Sequence, residues 1–82
     1  MIVNHGAVVD HVVLVGDYTH IAPLVSLGGG VRIGCRVLVG SGVSVLPGVR
    51  IGDDIVVGAG AVVCEDLDVP GVYAGVPARR VR

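Results

Sequence analysis

Aliphatic residues recur at every sixth position of this chain. Counting from Val3, the steps fall on Val9, Val15, Ile21, Leu27, Ile33, Val39, Val45, Ile51, Val57, Val63 and Val69, and none of them is polar. With 52% of the residues apolar, a run of twelve such positions would arise by chance in roughly one of several thousand sequences. The residue after each step is often Gly or Ala, as at Gly16, Ala22, Gly28, Gly34, Gly40, Gly52 and Gly58. The fourth residue after each step is again small or aliphatic: Ala7, Val13, Thr19, Val25, Val31, Val37, Val43, Val49, Ile55, Ala61 and Leu67.

A period of six is not a helical period. It is compatible with strand alternation, and the richness in β-branched residues agrees. Glycine at a fixed phase fits a turn that a bulky side chain would block. The pattern therefore predicts very short strands joined by tight turns. One such unit cannot bury a face alone, so the units must stack into a solenoid. The phase is unbroken from Val3 to Val69. The expected organisation is a hexapeptide-repeat β-helix over residues 1–69 and a C-terminal loop and tail over 70–82.

Composition sharpens this picture. The 82 residues include no Phe, no Trp and only two Tyr, so Val, Ile, Leu, Ala and 14 Gly must build the core. A domain of this size buries only about 60% of its unfolded surface, so oligomerisation is expected to help. The six basic residues are all Arg and the net charge is −1, which argues against a general nucleic-acid binder. No apolar run approaches the ~20 residues of a membrane span, and no signal peptide is expected. Cys35 and Cys64 show no metal or redox spacing, so a reduced cytoplasmic protein is the default expectation.

Two stretches carry a family resemblance: "NHGAVVDHVVLVGDYTHIAP" at 4–23 and "VVGAGAVVCEDLDVPGVYAGVPARRVR" at 56–82. With the hexad pattern, they make the chain resemble the C-terminal part of the sugar and sialic acid O-acyltransferases, a family of hexapeptide-repeat acetyltransferases. The resemblance covers essentially the whole chain. It implies an all-β, left-handed parallel β-helix of nearly four coils, three hexapeptides to each coil, so that residues 18 apart stack. It also implies a homotrimer that takes acetyl-CoA as acyl donor and a sugar as acceptor, with no metal. Family members usually carry an N-terminal α/β domain that holds the sugar. This chain enters the repeat at Ile2 or Val3, and the expectation is a β-helix without that domain.

Carried over by position, the resemblance makes His11 the catalytic base and His20 a contact to the acyl carbonyl. Gly29 supplies a backbone N–H to that carbonyl. Ala59 lies where the backbone meets the pantetheine arm, Ser41 is a further cofactor contact, and Gly75, Arg79 and Arg80 lie near the nucleotide end of CoA. The chemistry fits these residue types. A neutral imidazole, with a pKa of about 6.5, suits a base at neutral pH. A fixed backbone N–H stabilises an oxyanion without reorganisation. Arginine guanidinium groups suit phosphates. On an 18-residue coil, the nine-residue step from His11 to His20 spans half a perimeter, so a site using both must draw on two chains. Gly29, 18 residues after His11, stacks on the same edge as the base.

Simpler roles compete with each of these. His11 could be a solvated turn residue, His20 an interface histidine, and the C-terminal arginines a solvated tail. His5, His11 and His20 lack the spacing of the zinc-dependent β-helical carbonic anhydrases. Cys35 and Cys64 are 29 apart, not a multiple of 18, and are not expected to form a disulfide. The chain also departs from the family pattern. Val12 stands where an acidic residue usually orients the base, with Asp10 the nearest carboxylate, and Leu24 stands where glycine is common. The rival expectation is a non-catalytic trimeric scaffold that keeps the fold.

Overall fold

The computed structural model describes residues 2–3, 8–9 and 13–82, the first two pairs only through their strand pairing. His5, Asp10, His11 and Val12 lie outside the described residues. The strands are β1 (Ile2–Val3), β2 (Val8–Val9), β3 (Leu14–Val15), β4 (His20–Ile21), β5 (Ser26–Leu27), β6 (Arg32–Ile33) and β7 (Leu38–Val39). They continue as β8 (Ser44–Val45), β9 (Arg50–Ile51), β10 (Ile55–Val57), β11 (Val62–Val63), β12 (Gly71–Ala74) and β13 (Arg79–Arg80).

Every third strand stacks on the one before. The first face of the resulting prism has the order β1-β4-β7-β10-β12-β13, the second β2-β5-β8-β11 and the third β3-β6-β9. All these pairings are parallel except that of β12 with β13. On the first face Ile2 pairs with His20, His20 with Leu38 and Leu38 with Val56, so each of these coils takes 18 residues. Val56 then pairs with Val72, a shorter coil of 16.

The hexad explains each rung. In a two-residue strand one side chain points out and the next points in, as in Ser26/Leu27, Arg32/Ile33, Leu38/Val39 and Arg50/Ile51. A corner follows, and the residue four places on points inward again. From Thr19 to Leu67 both inward sets foreseen in the sequence are buried, whereas Val13 and Val15 are half-buried and Val69 is exposed, because Leu67 takes the inward place beside Ile51. Ile21, Val39 and Val57 line the first face, Leu27, Val45 and Val63 the second, and Ile33 and Ile51 the third, while Val25, Val43 and Ala61 fill one corner. Such burial is worth about 1.5–3 kcal/mol per Val, Ile or Leu. Tyr73 stacks on Val57 at the end of this column, where the prism stops, and its hydroxyl donates to the Val69 carbonyl at 2.6 Å.

Two separate constraints shape the corners. The glycines after the inward strand residues at Gly16, Gly28, Gly34 and Gly40 are needed for close approach between coils. A Cβ on Gly28 would come within 2.5 Å of Pro47 N, and one on Gly40 within 2.7 Å of Ala59 N. The left-handed backbone lies two residues later, at Tyr18, Leu24, Gly30, Arg36, Gly42, Gly48, Asp54 and Gly60, with φ between 57° and 78°. Leu24, flagged in the sequence as replacing a glycine, occupies this conformation with φ 64°.

Residues 70–82, expected as loop and tail, contain β12 and β13. β12 continues the first face, and β13 folds back antiparallel along it, with Tyr73 opposite Arg80. The strands escape the hexad pattern because the coil shortens here. The intervening loop also pairs with the second face: Val62 N–H donates to the Gly75 carbonyl at 3.1 Å, and Ala78 N–H to the Val62 carbonyl at 2.8 Å.

Candidate functional site: three corners of unequal chemistry

Three corners join the faces. The acidic corner, between the third and first faces, stacks Asp17–Tyr18, Cys35–Arg36 and Asp53–Asp54. The serine corner, between the first and second faces, stacks Pro23–Leu24, Ser41–Gly42 and Ala59–Gly60. The glycine corner, between the second and third faces, stacks Gly29–Gly30 and Pro47–Gly48. At each corner a backbone N–H of one coil donates to a carbonyl of the coil before. Examples are Asp54 to Cys35 at 3.0 Å, Gly60 to Ser41 at 2.9 Å and Gly48 to Gly29 at 2.9 Å.

Beyond that shared bond the corners differ. The acidic corner is closed by side chains. The Asp53 carboxylate accepts the Cys35 N–H at 2.8 Å, and Arg36 forks onto Asp54 at 2.7 and 3.2 Å. The hydrogen bond from Arg36 holds the Asp54 carboxyl below the usual carboxylate range and raises the guanidinium in turn. Beneath the surface, the Thr19 hydroxyl donates to the Gly34 carbonyl at 2.6 Å and accepts the Val37 N–H at 3.3 Å. It thereby replaces the direct closure seen elsewhere, where Val31 N–H reaches the Gly28 carbonyl and Ala61 N–H the Gly58 carbonyl, each at 3.3 Å.

Among the described residues the Asp17 and Asp53 N–H groups stay open even at the acidic corner, but the other two corners cap none of theirs with a side chain. The N–H groups of Gly29, Ser41 and Ala59 have no hydrogen-bond partner among the described residues. Ser41 and Ala59 are exposed and Gly29 is half-buried. Pro23 and Pro47 occupy the equivalent turn position in neighbouring coils, so the fold does not need an N–H there.

The residues singled out in the sequence fall into groups. Ser41 and Ala59 share the serine corner, and the Gly75 loop lies over it, since the Gly58 N–H bonds the Tyr73 carbonyl at 2.8 Å and the Val62 N–H bonds Gly75. Arg79 and Arg80 lie exposed on β13, and a cavity of about 250 Å³ separates them and Pro77–Ala78 from Cys64–Leu67. His20 is half-buried and points outward from the first face; its N–H donates to the Val37 carbonyl at 2.9 Å. Gly29 lies at the vertex opposite that face, so one chain does not bring His20 and Gly29 together. Cys35 and Cys64 are free thiols on different edges. No group of three His, Cys, Asp or Glu among the described residues is placed to hold a metal ion. No helix among them is long and apolar enough to cross a membrane.

Sequence reasoning placed Thr19 inward but missed its hydrogen-bond bridge, and it missed the ladders Arg36–Asp54 and Arg50–Asp68. The signal was available: in both ladders opposite charges sit 18 residues apart, one coil.

Parallel two-residue strands in triangular coils define a hexapeptide-repeat β-helix. Residues 30–65 match the bacterial transferase hexapeptide family (six repeats). PerB from Caulobacter crescentus, solved with CoA and GDP-perosamine, is 49% identical over 93% of this chain and 37% of its own, with a TM-score of 0.90. The acetyltransferase domain of PglB from Neisseria gonorrhoeae FA1090, solved with acetyl coenzyme A, is 35% identical over 96% of this chain and 38% of its own, with a TM-score of 0.93. A maltose O-acetyltransferase from Clostridium difficile 630 is 33% identical over 85% and 47% of the two chains, with a TM-score of 0.81. Residues 30–65 thus match the hexapeptide-repeat transferases, and the fold is the left-handed β-helix of the sugar acetyltransferases that the chain resembles. The chain spans 37–38% of the length of PerB and PglB.

Proposed function

We propose that the chain is the β-helical part of an acetyl-CoA-dependent sugar acetyltransferase whose site lies between subunits of a homotrimer. The observation that carries this reading is the match to PerB, 49% identical over 93% of the chain and solved with both CoA and a nucleotide-linked amino sugar. The acceptor class it favours is a sugar amine or hydroxyl, with sialic acids and nucleotide sugars both in scope. The resemblance assigns His11 the proton of the attacking group. The open Gly29 N–H faces the carbonyl oxygen as it becomes an oxyanion, and the CoA thiol departs. Such a donor is typically worth ~10²–10³-fold in kcat.

The uneven corners support this reading. A pantetheine arm is an amide chain and needs backbone partners, and the serine corner offers open N–H groups at Ser41 and Ala59 beside the Gly75 loop. The acidic corner has used its own Cys35 donor and presents carboxylates, which repel phosphates. Arg79 and Arg80 suit the nucleotide end of CoA. His20, on the face opposite Gly29, is supplied by a neighbouring copy. A cytoplasmic setting accords with a CoA-dependent reaction.

Val12, in place of an acidic orienter, favours the rival reading of a trimeric scaffold without catalysis. Thiol release from acetyl-CoA, measured with a panel of amino-sugar, nucleotide-sugar and sialic acid acceptors, separates the two. Acceptor-dependent release that is lost in His11→Ala supports the enzyme. Release no greater than that of His11→Ala with every acceptor supports the scaffold.

A further inference from the structure

The third face carries a groove of about 410 Å³ that none of the roles above uses. Gly34 and Gly52 leave its floor as bare backbone, and Arg32 and Arg50 stand over it on successive rungs. Parallel strands lie about 4.8 Å apart, and like charges placed directly opposite each other cost stability. Arg50 is neutralised, since its guanidinium donates to Asp68 at 3.1 Å. The groove's other carboxylate, Asp53, is engaged by the Cys35 N–H and lies 4.0 Å from Arg36. Arg32 alone among the groove's charged groups has no counter-ion among the described residues. It follows Gly29 by three residues, on the rung that leaves the glycine corner.

We infer that this groove binds a phosphate-bearing ligand, with Arg32 as the principal cation and Arg50 beside it. A guanidinium fork matches two phosphate oxygens, and an anion there would relieve the Arg32–Arg50 repulsion. The inference rests on the reading of the chain as one that handles phosphorylated substrates. Two substrates carry such a group, the diphosphate of CoA and that of a nucleotide-sugar acceptor. Arg32 selects for the phosphate in either case.

Titration calorimetry on the whole chain with inorganic pyrophosphate tests the site, and parallel titrations with CoA and with GDP distinguish the sources. Arg32→Gln should weaken pyrophosphate binding about tenfold or more, the scale of one lost charge-assisted hydrogen bond. Arg36→Gln, an exposed arginine outside the groove, should leave binding unchanged. Whichever of CoA or GDP shows the same loss is the source of the phosphate. The proposal is overturned if the parent chain binds no pyrophosphate, or if Arg32→Gln binds pyrophosphate, CoA and GDP as the parent does. It is also overturned if Arg32→Gln shifts sedimentation to a smaller species with pyrophosphate binding intact, because Arg32 then pairs with a neighbouring copy. Thiol release by the parent is scored separately, so a failed acetyltransferase reading and a failed phosphate site give different results.

Discussion

The acidic and serine corners solve the same turn in opposite ways. Both place a left-handed residue every coil and both pass one N–H to the coil below. The acidic corner fills the left-handed positions with Tyr18, Arg36 and Asp54, bridges its interior with Thr19 and caps the Cys35 N–H with Asp53. The serine corner uses Gly42 and Gly60, with Leu24 its one non-glycine left-handed residue, and leaves the Ser41 and Ala59 N–H groups open. A left-handed non-glycine residue costs of order 1 kcal/mol, so the acidic corner gives up backbone ease for side-chain links. The serine corner forgoes the links and keeps its backbone accessible. One edge is fastened, while the other, with the glycine corner, remains available to a long amide-bearing ligand.

The sharpest way to break this contrast is to remove open donors without disturbing the turn. Proline already occupies the equivalent position at Pro23 and Pro47, so Gly29→Pro should fold while lowering kcat for thiol release by ~10²–10³-fold. Gly29→Ala, which keeps the N–H, should lose far less; equal losses in the two variants would point to bulk rather than to the donor. At the serine corner, Ser41→Pro combined with Ala59→Pro should raise the KM for acetyl-CoA about tenfold with kcat and melting temperature little changed. An unchanged KM would mean that this edge is not where the donor lies.

The acidic corner should respond in the opposite sense. Thr19→Val removes the bridge between Gly34 and Val37 and should cost about 1 kcal/mol, seen as a melting temperature lower by roughly 5 °C, with thiol release per folded molecule retained. A loss of release without a loss of stability would tie this corner to the chemistry after all. The smallest effect belongs to Asp54. Its carboxyl titrates below the usual range because of Arg36, so its contribution is present above the ordinary carboxylate pKa of about 3.9 and is lost as pH falls through the depressed value. The stability gap between the parent and Asp54→Asn, followed by urea melts, should be constant near neutrality and close in acid. A gap that widens in acid would contradict the pairing.

Much of the fold was legible in the sequence because repetition multiplies a weak signal. Each aliphatic residue at a sixth position says little, but the run fixes strand phase, inward face and coil from Ile21 to Val63 and fails at Val69, which is exposed. The corners were less legible. Half of the left-handed positions between Tyr18 and Gly60 are not glycine, so composition did not mark them, and the glycines that stood out serve close approach instead. The strands of 70–82 were hidden because the coil shortens from 18 to 16 residues and the hexad loses phase. At the candidate site, the stacking of Ser41 on Ala59 follows from the 18-residue coil, but the place of Gly75 beside them depends on the shortened one. The open or capped state of each N–H does not follow from the coil, because it depends on which side chain one coil away turns toward it.

The central claim is that the site is completed by a second copy, since His20 stands on the face opposite the corner that holds Gly29. A His11→Ala chain and a His20→Ala chain, each with little thiol release alone, can be mixed under conditions where subunit exchange is verified by mass. The account predicts that acceptor-dependent thiol release returns in the mixture, from interfaces that pair an intact His11 with an intact His20. Exchange without any return of release would contradict it.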